Sequence, residues 1–293
     1  MALSEDGEED VKRPLRRIRL RTVVVHLIAW SVALAWIIPF LGVFNTAVRP
    51  VSETTFGWWR VDSFHPTLNN FVTAFTQPIY SLSSGYRNSL IVAIPATLAP
   101  LFVAALAGYG FSRFRFPMRD YLFLTIVLLM SVPAQMVAIP IFRIMDTLQL
   151  YDNLLSLILL HTAWGLPWII LFMRNFFQAL PLEVEEAARV DGASDFRIFF
   201  RIVLPMAIPA FASAGILQFM WVWNDFFFAL LLIFSPENMP ATLLVPNLAR
   251  GAQYTDWGLL SAGSILVMLV PLTLYVVLQK YYIRGMIGWT IKG

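Results

Sequence analysis

Residues 186–205 read EAARVDGASDFRIFFRIVLP, a polar, charge-bearing stretch inside a chain that is 58% apolar and only 13% charged. An ordinary soluble domain is about 25% charged, and a mean hydropathy of +0.69 places the rest of this chain in a lipid bilayer. The stretch is bounded by apolar runs at Leu154–Met173 and Met206–Phe234, each long enough to cross a hydrocarbon core about 30 Å thick. Working outward adds Thr22–Phe44, Ser89–Phe111, Tyr121–Phe142 and Leu259–Gln279, so the sequence predicts an all-α membrane protein of six transmembrane helices. The first run is too long for a secretory leader and lacks a small-residue cleavage site, so it reads as a retained span. The fifth exceeds one crossing and is expected to start in the interface or to bend.

Lysine and arginine set the orientation, because they concentrate on the cytoplasmic side of membrane helices. With the N-terminus inside, the inner segments hold sixteen: six from Lys12 to Arg21, then Arg113, Arg115, Arg119, Arg174, Arg189, Arg197, Arg201, Lys280, Arg284 and Lys292. The outer loops hold five, namely Arg49, Arg60, Arg87, Arg143 and Arg250. Both termini and the 186–205 stretch are therefore expected in the cytoplasm. The chain divides into a tail, residues 1–21, and a transmembrane domain, residues 22–293. The tail opens on Ser4-Glu5-Asp6-Gly7-Glu8-Glu9-Asp10, which has no apolar periodicity and is predicted to be disordered. The outer segment Asn45–Asn88 carries Trp58, Trp59, Phe64, Phe71 and Phe75, too aromatic for a solvated loop, so part of it is expected to pack on the outer surface. The net charge of +3 follows from this topology and gives no reason to invoke nucleic acid.

Prolines interrupt nearly every span, at Pro39, Pro95, Pro100, Pro133, Pro140, Pro167, Pro209 and Pro271. Each removes a backbone hydrogen bond and kinks its helix, which is tolerated in lipid where neighbouring helices, side chains or water satisfy the freed carbonyl. Small residues at 104–110 and 210–215 let helices approach closely. Kinks of this kind either frame a pathway or reflect the general frequency of Pro and Gly in membrane helices. Polar side chains within the spans are sparse: His26, Gln135, His161, Gln218, Asn224 and Asp225. Around Trp221, Trp223, Asn224 and Asp225, two indoles stand beside an amide and a carboxylate, a set that suits a sugar in a substrate pathway. The alternative is an aromatic belt with Asn224-Asp225 capping a helix break.

No catalytic or metal-binding set emerges. There is no cysteine and there are only three histidines, none with ligand spacing. The phosphate-binding loop of nucleotide-driven ATPases is absent too, so any ATP must be handled by another subunit.

About 32 residues separate the fourth and fifth spans, against about 2–8 in an ordinary helix–helix connection, which implies structure with a job. Pro181 suits the first turn of a helix. Glu183, Glu185 and Glu186 follow in its positive half. Asp191-Gly192 is a stop-and-turn pair, with Gly192 free to adopt positive φ. Ser194 or Asp195 can cap a second helix, Phe196–Val203, ended by Pro205. The prediction is a helix–turn–helix over 181–205 along the inner membrane face.

Glu186-Ala187-Ala188, Gly192 four positions on, and Ile202-x-Leu204-Pro205 together resemble the EAA loop of ABC importer permeases, with no departure at those positions. The wider text from Leu180 to Ser194, the Trp223-Asn224-Asp225-Phe226 element and the tail from Gln279 are similar to the carbohydrate branch, specifically the maltose-transporter-like second permease. Gly288-Trp289-Thr290 departs from the commoner Ala-Gly-Ala, and the likeness runs from about Val23 to the end. The resemblance implies a type I ABC importer permease fold in a bacterial or archaeal cytoplasmic membrane. It implies a transport subunit, not an enzyme, without a cofactor of its own, ATP and magnesium residing on two ATPase subunits. The other implied partners are a second, related permease forming a heterodimer, an extracytoplasmic solute-binding protein, membrane lipid and a sugar or oligosaccharide. It also assigns ATPase coupling to Glu186, Ala187, Ala188, Asp191, Gly192, Leu204 and Pro205. In the maltose system most sugar contacts come from the partner permease, and the Ser235–Trp257 loop would face the binding protein. The competing expectations are a permease for amino acids, peptides or phosphate, and an ion-coupled secondary carrier working alone.

Overall fold

The computed structural model describes residues 20–55, 57–60, 62–249 and 255–287, and every regular element among them is helical. A long α1 (Leu20–Ala47) leads into two short helices on the side expected to be outer, α2 (Val51–Thr54) and α3 (Asn69–Thr76). Then come α4 (Leu82–Arg113), α5 (Arg119–Leu129), α6 (Ala138–Thr147) and α7 (Leu154–Ala179). The hairpin on the opposite side, expected to be the inner one, comprises α8 (Leu182–Val190), α9 (Asp195–Ile198), a π-helical turn (Phe199–Val203) and α10 (Leu204–Met206). The chain continues through α11 (Ile208–Trp223), α12 (Phe227–Leu232), α13 (Ala241–Leu244) and α14 (Trp257–Ile287). The acidic tail, Arg250 and the departing Gly288-Trp289-Thr290 lie outside the described residues.

Among the described residues four helices, α1, α4, α7 and α14, are long and apolar enough to cross a bilayer unbroken, and two bent pairs, if each is one span, raise the number of candidate spans to six. The run expected over Tyr121–Phe142 is not a single rod, because Arg119–Leu129 and Ala134–Thr147 meet at 95°. Pro133 explains the break: it has no N–H to donate, and it drives the preceding residue out of the α region. The fifth run bends as its length demanded, by 71° at Ala207, with Pro209 in the first turn beyond the corner. It breaks again at Asn224–Phe226 before α12. Pro205 does not end the helix before it, contrary to expectation. The helix widens into the Phe199–Val203 π turn, where the Leu204 N–H reaches the Phe199 carbonyl, and runs through Pro205 to Met206. A wider turn accommodates a proline that cannot donate to the preceding turn.

The parallel pair α4–α7 is the centre of the bundle. A Cβ on Gly108 would lie 2.9 Å from the Arg174 backbone nitrogen and 3.0 Å from the Met173 Cβ, so only glycine permits this approach. α11 packs across α4, α7 and α14, while α1 leans on α14 and leaves most of its surface exposed, as a lipid-facing helix does. The buried residues form two clusters stacked along the bundle. The outer one includes Leu82, Leu157, Leu160, Trp223, Leu232 and Leu244, and the inner one Leu101, Ala104, Phe177, Ile198, Val203 and Ala214.

Part of the outer segment does pack on the bundle. Asn70 of α3 donates to the Ala47 and Arg49 carbonyls at 2.8 Å each, and α3 rests on α14. Beyond α12 the chain folds back on α4: Asn88 donates to the Glu237 carbonyl (2.7 Å) and the Met239 carbonyl (3.1 Å), and Ser89 accepts from the Ala241 N–H. Asp152, before α7, accepts from the Phe234 and Ser235 N–H groups at 2.9 Å and from the Ser235 hydroxyl. Burial alone would raise its carboxyl above the usual range, but these hydrogen bonds hold it below.

Candidate functional site

The inner hairpin closes by rules that are local to its sequence. The Ala193 N–H donates to the Ala188 carbonyl (2.9 Å) and the Gly192 N–H to the Arg189 carbonyl (3.0 Å), the paired bonds of a Schellman motif. Gly192 sits at φ +80, and a Cβ there would meet nothing within 4 Å, so backbone conformation alone calls for glycine. Ala188 and Ala193, the residues that flank such a turn, pack together on the inner cluster. Arg189 and Asp195 pair at 3.2 Å across the turn in solvent.

Two adjacent glutamates of α8 have opposite surroundings. Glu186 is exposed, as are Ala187, Asp191 and Gly192. Glu185 is 2% exposed: it accepts from Arg113 Nε at 2.8 Å and from the Tyr109 hydroxyl at 2.9 Å. Arg113 also donates to the Leu180 carbonyl, tying the last turn of α4 to the residue after α7. The Tyr109 ring is walled by Phe114, Phe177 and Phe199. The hairpin is therefore fastened to the inner ends of α4 and α7 through Glu185, leaving the opposite side of α8 free. That free side also carries Glu183 and Val190, the latter 88% exposed; beyond the turn Phe196, 77% exposed, lines a recess with Leu106, Tyr109 and Gly110 of α4. Leu204 is partly buried on the inner cluster and Pro205 is exposed, both at the corner into α11 and away from the tip.

Between the two apolar clusters lies a polar layer centred on Gln218 of α11, which is 1% exposed. Its amide nitrogen donates to the Ala96 carbonyl of α4 (3.1 Å) and the His161 carbonyl of α7 (3.2 Å), and its oxygen accepts from Trp168 Nε1 (3.1 Å). The Ala96 carbonyl is the one Pro100 leaves without a helical donor. Gly165 makes room, since a Cβ there would lie 2.6 Å from the Gln218 amide nitrogen. Trp223 works the same way further out: its indole N–H donates to the Val267 carbonyl at 3.1 Å, the group Pro271 frees in α14.

These contacts separate the four pathway candidates. Trp223 is 1% exposed, stacked on Phe219 and edge-on to Tyr86, with its N–H occupied, so it is a core residue and not a substrate contact. Asn224 folds back to donate to the Met220 carbonyl. Asp225 accepts from the Phe228 and Ala229 N–H groups at the start of α12, capping the helix break, and lies 3.4 Å from His161 Nε2. Trp221 is open, 63% exposed, beside the polar layer, and Asn224 is exposed too. Two of the other polar candidates, His26 and Gln135, lie on exposed surface.

Residues 96–288 match the family described as binding-protein-dependent transport system inner membrane component. The chain belongs to this family. It is a multi-pass permease of the cell membrane and a transport subunit of ABC importers, not an enzyme. The permease is 53% identical over 93% of its length to the probable ABC transporter permease protein PH1036 of Pyrococcus horikoshii, covering 98% of that protein. It is 37% identical to the osmoprotective compounds uptake permease protein GgtD of Synechocystis, over 92% of this chain and 91% of that one. It is 36% identical to the alpha-glucoside transport system permease protein AglG of Rhizobium meliloti, over 76% of this chain and 63% of that one. A solved chain of a bacterial ABC transporter involved in the import of the acidic polysaccharide alginate shares the fold, with a TM-score of 0.78 at 22% identity, covering 91% and 98% of the two chains.

Sequence reading of the permease missed Glu185 as the anchor and Val190 and Phe196 as exposed apolar residues. A signal existed for the first. Neighbours on a helix point about 100° apart, so Glu185 and Glu186 cannot both face outward when Ala188, three residues from Glu185, lies on the inward side.

Proposed function

We propose that this permease is one half of the translocation pathway of an ATP-driven sugar importer, moved by ATPase subunits that grip the Glu186–Pro205 segment. The observation that carries the reading is the hairpin's division of labour: Glu185 fastens it to α4, and Glu186 stands free beside exposed Glu183 and Val190. A surface with two acids and an apolar residue fits a socket with basic groups and an apolar floor. Ala187, Ala188, Asp191 and Gly192 give it a narrow profile and a tight turn, and Leu204 and Pro205 form the corner through which its movement enters α11. Both termini and the hairpin face the cytoplasm in this reading, in keeping with sixteen basic residues on that side against five. Residues 1–21 form the inner tail and residues 22–293 the transmembrane domain. A second, related permease completes the pathway, two ATPase subunits dock beneath, and a binding protein delivers the solute from outside.

Sugar as cargo is supported by the likeness to an alpha-glucoside permease and by the Trp223-Asn224-Asp225-Phe226 element. The comparably similar osmoprotectant permease supports a non-sugar solute as the second reading. Glu186→Lys tests the coupling site. The variant permease should insert normally but lose the ATPases on affinity purification and support no ATP-driven uptake in proteoliposomes. Normal co-purification and normal uptake would remove the coupling role.

A further inference from the structure

The polar layer opens into a cavity of about 160 Å³, lined by Trp164, Trp168 and Trp221 together with His161, Gly165 and Gln218. Gln218 lies ten residues into α11, so at about 1.5 Å per residue it stands roughly 15 Å from the inner end of that helix, near the middle of a 30 Å hydrocarbon core. At roughly 10–15 Å³ of free space per water-sized atom, the cavity accepts on the order of a dozen heavy atoms, the size of one pyranose ring.

The lining selects for chemistry as well as size. It contains three indoles and no Lys, Arg, Asp or Glu. The Gln218 amide and the Trp168 N–H already satisfy one another and two carbonyls. His161 is different: it is 1% exposed, its Nε2 faces Asp225 at 3.4 Å, and its Nδ1 has no hydrogen-bond partner. A proton held at Nε2 toward the Asp225 carboxylate leaves Nδ1 as an acceptor. A buried acceptor left empty costs free energy, and a ligand hydroxyl would satisfy it. Indole faces also attract quaternary ammonium ions, but such an ion has no N–H or O–H to donate and would leave His161 Nδ1 unpaired. A neutral ring with an apolar C–H face and a rim of hydroxyls meets every requirement.

We infer that this cavity is a sugar subsite belonging to this chain itself, in which one pyranose ring stacks on the indoles of Trp221, Trp164 and Trp168 and donates a hydroxyl hydrogen to His161 Nδ1. The inference rests on the sugar-importer reading. It departs from the expectation that the partner permease makes the contacts, and it moves the site from Trp223 and Asn224 to Trp221 and α7.

The test uses the complete transporter, with partner permease and ATPases, in proteoliposomes supplied with its binding protein. Uptake of radiolabelled glucose, maltose, trehalose and glycine betaine is measured for the wild type, Trp221→Ala and Trp221→Phe, with subunit assembly followed by size-exclusion chromatography. Trp221 is mostly exposed, so its truncation should leave assembly intact. Loss of its stacking face should lower sugar uptake about tenfold, and phenylalanine should restore most of it. Wild-type sugar uptake by Trp221→Ala overturns the subsite and leaves the importer reading standing. Uptake and assembly falling together also overturns it, by giving Trp221 a structural role. Accumulation of glycine betaine but none of the three sugars by the wild type overturns the importer reading and the sugar assignment together.

Discussion

The inner hairpin and the mid-bundle layer both hold polar groups away from water, and they are built on opposite plans. The hairpin uses one charged pair, Glu185 with Arg113, backed by Tyr109, plus a turn closed by backbone bonds a few residues apart. The layer uses a neutral amide that reaches carbonyls on two other helices, at least one of them freed by a proline. The Glu185 carboxylate is paired at both oxygens, whereas among the described residues three buried atoms have no partner: Thr97 Oγ1 and His161 Nδ1 in or beside the layer, and Arg174 Nε in the inner half of α7. A lever has to be stiff where it is pushed, while a pathway needs groups free to take new partners.

The largest effect expected from this contrast is at Glu185. Removing one member of a buried ion pair strands the other, at about 3–5 kcal/mol. Glu185→Ala should therefore release α8 from α4. Hydrogen exchange across 182–193 should accelerate by orders of magnitude, and coupling to the ATPases should fail. Glu186→Ala, one residue away, should leave exchange near the wild-type rate because its side chain is exposed. Equal exchange in the two variants would dissolve the distinction between anchor and contact.

A smaller effect belongs to Gln218. Gln218→Leu leaves the Ala96 carbonyl and the Trp168 N–H unpaired, at roughly 1–3 kcal/mol for each buried polar group, and should lower the thermal midpoint of the purified transporter. The sharper experiment adds Pro100→Ala, which returns an N–H to the Ala96 carbonyl. The double variant should recover part of the lost stability, and strict additivity would mean that Gln218 does not serve the proline kink.

The two regions were also unequally legible. The hairpin could be read residue by residue because Pro181, Gly192 and the turn after Val190 act within a few positions, and the Schellman bonds confirm the turn at Gly192. The proline positions indicated which carbonyls are freed, but not that Gln218 and Trp223 on α11 reach two of them, because that depends on how three helices pack. Trp221 and Trp223 illustrate the loss. Two positions on a helix are about 200° apart, so one indole of the pair had to face the core, and composition could not say which. The break at Pro133 was visible as a proline, but its 95° angle is set by what α5 and α6 pack against. For Pro205 the local rule misled, because a π turn absorbed the residue that was expected to stop the helix.

The smallest effect, and the cleanest test of stiffness in the hairpin, is at Gly192. Space is not the constraint, since a side chain there would meet nothing within 4 Å, so only the φ of +80 matters. The left-handed conformation costs an ordinary L-residue about 1–2 kcal/mol and a β-branched one more, whereas asparagine tolerates it. Gly192→Val should therefore loosen the turn and reduce co-purification of the ATPases, Gly192→Ala should do so mildly, and Gly192→Asn should remain close to wild type. That ranking separates conformation from contact. If Gly192→Asn were as defective as Gly192→Val, the residue would be needed as a bare backbone against the ATPase surface, and the tip of the hairpin would join Glu186 as part of the contact itself.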